Sequence, residues 1–173
     1  MTKQLALSLA AVALFGIARS QQGQNEPKQV AQVDVASVRA VPQVYVALRL
    51  RTSDQQVFVP YCGESDTGEK ILCTLGAHLE VRTSRGWRPA KLRTTYGVLG
   101  ASSLGRAGGS LIGPRSEASF SFQFSRRFFE VEPGQQLRVV VDAWPDEQSM
   151  KTSGRSIQFT SQPFECPQTG TGR

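Results

Sequence analysis

Hydrophobic residues fall at every second position along most of this chain, and the intervening positions are polar or charged. Ala31, Val33 and Val35 alternate with Gln32 and Asp34. After Pro42, Val44, Val46, Leu48 and Leu50 alternate with Tyr45, Ala47, Arg49 and Arg51. A period of two sends one set to a buried face and the other to water, as a strand in a half-solvated sheet requires. Thr52 to Gln56 reads as a polar turn, followed by alternation at Val57, Val59 and Tyr61. Leu79 to Thr83, the turn Ser84-Arg85-Gly86, and Trp87 to Leu92 predict a β-hairpin. Phe120, Phe122 and Phe124 alternate with Ser121, Gln123 and Ser125, giving an aromatic inner face. Pro133 and Gly134 suit the two central positions of a type II turn, and Leu137, Val139, Val141 and Ala143 form the strongest strand pattern. A last strand is expected from Ile157 to Thr160, running on past Pro163 towards Phe164. Seven or eight short strands and no stretch of convincing helical period predict an all-β fold, a sandwich of two antiparallel sheets.

The amino terminus breaks the alternation. Lys3 precedes an apolar run from Leu5 to Ile17, followed by Ala18, Arg19 and Ser20. The run is shorter than the roughly 20 residues of a membrane span, and small residues lie at Ala18 and Ser20. Residues 1–20 therefore read as a signal peptide, and the mature chain is expected to start near Gln21. Residues 21–29 are polar and read as a flexible leader, residues 30–166 as a single β-sandwich domain, and residues 167–173 as a disordered tail. The 153 residues left of 173 suit one domain, which buries about 70% of its unfolded surface. Loss of Lys3 and Arg19 lowers the formal charge from +6 to +4, a mild positive excess. No second apolar run approaches a membrane span, so a periplasmic or extracellular location is expected, in a compartment that permits disulfides.

Three cysteines allow at most one internal disulfide. Cys62 with Cys73 is preferred, since it closes a short polar loop, Gly63 to Leu72, and stabilises by about 3 kcal/mol in the chain-entropy model; Cys62 with Cys166 is the competitor. Gly97 to Gly113 holds six glycines and three serines, and reads as a long loop without structure of its own.

Candidate chemistry is thin. Gly100, Gly105 and Arg106 approach a phosphate-loop spacing, but Arg106 and Ala107 stand where lysine and a hydroxyl are needed. Ser102 and Ser103 lack the flanking glycines of a hydrolase elbow. His78 is the only histidine; a nucleophile would have to recruit it, with Asp66, Glu80 or Asp142 as orienter, and a mixed metal site with Cys73 and Glu80 has weak support. Asp142, Asp146 and Glu147 gather around Trp144 and Pro145 as solvated turn acids rather than a calcium site. The expectation is therefore no enzyme, no cofactor and no metal.

Charge says more. No acid occurs between Val81 and Ser116, where Arg82, Arg85, Arg88, Lys91, Arg93, Arg106 and Arg115 all lie, with Trp87 and Tyr96 among them. Arg82, Arg85, Trp87, Arg88, Lys91, Arg93, Tyr96 and Arg106 are the candidate ligand-binding residues, a basic face with aromatic contacts suited to phosphate, sulfate or carboxylate groups. The opposing expectation is that strand alternation scatters them over two faces and loops, where they give ordinary solubility and protect a sheet edge from aggregation. Candidate partners are an envelope protein or an anionic surface glycan, with no specific nucleic acid and no membrane span; the oligomeric state is left open.

Two stretches resemble known families. Thr52 to Cys62, a polar turn followed by Val57, Phe58, Val59, Pro60 and Tyr61, is similar to the early strands of bacterial extracytoplasmic immunoglobulin-like modules. Val131-Glu132-Pro133-Gly134-Gln135-Gln136, leading into a strand that ends at Trp144, resembles the proline-glycine turn of the intracellular proteinase inhibitor family. The resemblance implies an immunoglobulin-like sandwich that binds proteins, and transfers no inhibitory residue. The function expected is a non-enzymatic binding or structural module of the cell envelope; the alternative is a protein inhibitor of an exported protease.

Overall fold

The computed structural model describes residues 30–40, 43–65, 68–72, 76–93, 108–152 and 155–168. The signal peptide, the leader, Cys73, Tyr96, Arg106 and residues 169–173 of the tail lie outside the described residues.

Alternation becomes sheet where partner strands share it. β1 (Ala31–Ala40) pairs antiparallel with β2 (Val44–Thr52), with a bulge between Val35 and Ser37. β2 in turn pairs with β9 (Glu117–Phe124), setting Val44, Val46 and Leu48 opposite Phe124, Phe122 and Phe120. The first sheet is completed by β5 (Lys70–Leu72), parallel to β9, and β4 (Gly63–Glu64). The second runs β11 (Ile157–Thr160), β10 (Gln136–Ala143), β6 (Ala77–Thr83), β7 (Gly86–Pro89), with β12 (Phe164–Glu165) also on β10. β3 (Val57–Tyr61) and β8 (Gly108–Ile112) form a third, two-stranded piece. Phe58 and Trp144 exchange backbone hydrogen bonds and join β3 to the end of β10. Inward residues of both main sheets, among them Leu48, Leu50, Phe120, Val81, Leu137, Val139 and Val141, meet in one apolar core, so the fold is an all-β sandwich.

Turn chemistry matches the local sequence. Gln135 N–H donates to the Glu132 carbonyl across Pro133 and Gly134, and Gly134 takes φ +78°, which only glycine adopts without strain. The β6–β7 turn is closed by Thr83, whose hydroxyl accepts from Arg85 N–H (3.2 Å) and donates to the Gly86 carbonyl (2.8 Å).

Several elements depart from the sequence reading. The supposed loop Gly63 to Leu72 contains the β4–β5 pair. The glycine-rich connection ends in a strand, because Gly108 to Ile112 form β8 against β3, and the Phe58 ring occupies the space where Gly109 has no side chain. A backbone that close to an aromatic ring requires glycine, so Gly109, and Gly108 against Tyr61, mark packing rather than looseness. Pro163 separates β11 from β12 instead of lying within one strand. One short helix, α1 (Glu147–Lys151), lacks buried residues and so leaves no periodic signature; the Asp146 carboxylate caps it by accepting from Ser149 N–H (2.6 Å). Those bonds hold the Asp146 carboxyl below the usual carboxylate range. Glu147 pairs with Lys151 (2.7 Å), so two of the three acids near Trp144 serve the helix.

Candidate functional site

The register of the second sheet decides how the basic residues are distributed. β6 alternates buried Ala77, Leu79 and Val81 with His78, Glu80 and Arg82 on the outer face. Arg82 lies opposite Trp87 in β7, so the two share that outer face, whereas Arg88 lies opposite buried Val81 and belongs to the other side. Arg85 occupies the tip between them, held there by Thr83. Arg82, Arg85 and Arg88 are exposed, and no carboxylate among the described residues bonds any of them.

Next to them stands a contact that the local sequence does not reveal. Arg138 of β10 pairs with Glu80 of β6, at 2.6 Å and in a half-buried setting, and its guanidinium lies 4.5 Å from the Trp87 ring centroid. The Arg82 guanidinium lies 5.9 Å from the same centroid. An indole attracts cations through its negative face, so Trp87 gathers two arginines. The charge of Arg138 is spent on Glu80; that of Arg82 is not. Arg138 and Glu80 are the residues missed in the basic cluster: they belong to strands far apart in the chain and meet only through the β6–β10 register.

Lys91 and Arg93 sit elsewhere. Their backbones bond the segment before Val131, with Glu130 N–H donating to the Lys91 carbonyl and Arg93 N–H to the Phe128 carbonyl. The Arg93 side chain donates to the Phe129 carbonyl (3.0 Å) and pairs with Glu132 (3.0 Å). Arg93 thus fastens a loop. Arg115, in the turn after β8, pairs with Asp54 (3.1 Å). The structure therefore brings Arg82, Arg85, Trp87 and Arg88 to one hairpin, on both of its faces and its tip, and separates Lys91 and Arg93 from them.

His78 lies inside β6, not before it, with Nδ1 3.5 Å from the Asp142 carboxylate. Asp142 also accepts from the Ser156 hydroxyl (2.9 Å) and the Gln158 amide (3.0 Å). Ser156 therefore bonds the acid rather than the imidazole, and these contacts tie β6, β10 and β11 across their outer face. Among the described residues, no three histidine, cysteine, aspartate or glutamate side chains gather as metal ligands. An open depression of about 480 Å³ is lined by Gly68, Glu69, Lys70, Glu117, Ala118 and Ser119, with acids and a lysine but no arginine. Cys166 is a free, buried thiol, which removes it as a partner of Cys62. Its pKa is pushed up by burial and by Glu132, with Arg126 opposing. No helix among the described residues is long and apolar enough to cross a membrane.

Compared with known proteins, the chain matches no family model and no curated sequence.

Proposed function

We propose that this protein is an exported, non-enzymatic β-sandwich that serves as a binding or structural module of the cell envelope, and that it makes contact through the β6–β7 hairpin. The observation that carries the reading is the set of three exposed hairpin arginines, Arg82 beside Trp87, Arg85 at the tip and Arg88 on the other side, none bonded by a carboxylate among the described residues. Arginine stripped of a carboxylate partner presents up to five donors in a fork that fits carboxylate, sulfate or phosphate. Ion pairing within the molecule does not account for these charges, since no carboxylate among the described residues neutralises them. The same reading pairs Cys62 with Cys73, consistent with an oxidising compartment and with Cys166 standing free.

The test is retention of the purified chain on an isolated envelope fraction. Arg85→Glu/Arg88→Glu is expected to abolish retention while leaving the thermal midpoint unchanged. Full retention by this variant would sink the reading. Non-reducing mass mapping checks the cysteines: a Cys62–Cys73 linked peptide is expected.

A further inference from the structure

The three arginines do not converge. Arg82 occupies the outer face of the hairpin, Arg88 the opposite side, and Arg85 the tip. A small anion cannot reach all three, because the β6–β7 backbone lies between Arg82 and Arg88. A long, thin polymer with charge at successive units can, by draping across the tip. A flat anionic bilayer meets only the tip, where Ser84, Arg85 and Gly86 offer nothing apolar to insert; the exposed large hydrophobics among the described residues, Leu92 and Leu111, lie outside β6 and β7. Single-stranded nucleic acid gains affinity by stacking bases on open aromatic faces, and Trp87 is half-buried with two guanidinium groups over its ring.

We infer that the hairpin binds an acidic polysaccharide, one bearing carboxylate or sulfate on successive sugars, which Arg82, Arg85 and Arg88 grip from both faces and the tip. This rests on the reading of the hairpin as the contact surface and names its ligand class. Trp87 is a positioning residue: by holding Arg82 over its ring it orders that guanidinium before the ligand arrives and lowers the entropy lost on binding. Arg138, neutralised by Glu80, fixes the indole in turn.

The experiment measures binding of the purified chain to polygalacturonate and to dextran sulfate, with neutral dextran, phosphatidylglycerol vesicles and a single-stranded oligonucleotide as comparators. Both acidic polysaccharides are expected to bind, neutral dextran not to, and affinity to fall as salt rises. Arg82→Ala/Arg85→Ala/Arg88→Ala is expected to weaken binding about tenfold or more, as the loss of even one good charge-assisted contact would. Trp87→Phe, which keeps an aromatic ring and the hairpin, is expected to weaken it less and by the same factor for both polymers. The inference is overturned by no binding to either polysaccharide, by an unchanged triple variant, or by tighter binding to vesicles or oligonucleotide. If Arg85→Glu/Arg88→Glu still abolishes envelope retention in those cases, the ligand class alone has failed; if it does not, the contact surface has failed with it.

Discussion

Both sheets of the sandwich turn arginines outward: Arg49 and Arg51 of β2 and Arg138 of β10 meet acids, whereas Arg39 of β1 faces the Tyr45 ring and the β6–β7 arginines face no acid. On the first sheet, Glu117 of β9 takes Arg51 at 2.7 Å and Arg49 at 3.0 Å, and Asp34 of β1 lies 3.9 Å from Arg51. The acids arrive because the β1–β2 and β2–β9 registers place Asp34 opposite Arg49 and Arg51 opposite Glu117. On the second sheet, Arg82 finds an indole across the strand, Arg88 a buried valine and Arg85 no strand at all. Opposite charges at facing positions help hold a sheet together; arginines facing no acid remain available to something outside the molecule. The difference between β2 and the hairpin is thus one of composition and register together: β7 carries no acid, whereas the registers of β1, β2 and β9 bring Asp34 and Glu117 to Arg51 and Arg49.

The largest expected effect concerns the core beneath both regions. Phe120→Ala removes a fully buried ring facing Leu48 and is expected to cost about 3–5 kcal/mol. Because the two sheets share one core, denaturant melts followed by fluorescence and by circular dichroism should shift together. Separate transitions would mean that the sheets do not form one cooperative unit.

Glu80→Gln makes the comparison sharper. It breaks a half-buried ion pair, so a loss of about 1–3 kcal/mol is expected in denaturant melts. The change also releases the charge of Arg138 beside Trp87, so retention on the envelope fraction should rise even as stability falls. Weaker retention would show that the pair holds the face together more than it silences it.

Cys166 supplies a pH test. Its pKa in the folded protein is raised, so its contribution to stability is complete below the unfolded thiol value and is lost as pH rises towards the folded one. Stability should therefore decline on the alkaline side, and Cys166→Ser should flatten that decline. Identical alkaline profiles for the two proteins would contradict the burial assigned to the thiol.

The smallest effect belongs to the neutralised face. Glu117→Gln loses exposed contacts, which contribute little in water. A barely changed thermal midpoint is expected, with retention unaffected.

Much of this fold was legible because long strands carry their own period. Val44 to Leu50 and Leu137 to Ala143 announce a buried face with no knowledge of a partner. β4, β5 and β8 do not: Gly63-Glu64, Lys70 to Leu72 and Gly108 to Ile112 are too short or too rich in glycine to alternate, and they become strands only against the neighbours that pair with them. The helix at Glu147 buries nothing and signals itself only through its Asp146 cap. The candidate site divides similarly. The acid-free stretch containing Arg82, Arg85 and Arg88 is plain in the sequence, whereas the separation of Lys91 and Arg93, and the arrival of Arg138 at Trp87, depend on pairings between distant segments.

The hairpin arginines that face no acid are the proposed contact surface. The most direct measurement compares Arg85→Glu/Arg88→Glu with Arg127→Glu/Arg155→Glu, which makes the same change in net charge away from the hairpin, in retention on the envelope fraction at one salt concentration. Loss of retention in the hairpin variant alone is the predicted result. Equal loss in both would reduce the effect to overall charge and contradict the account.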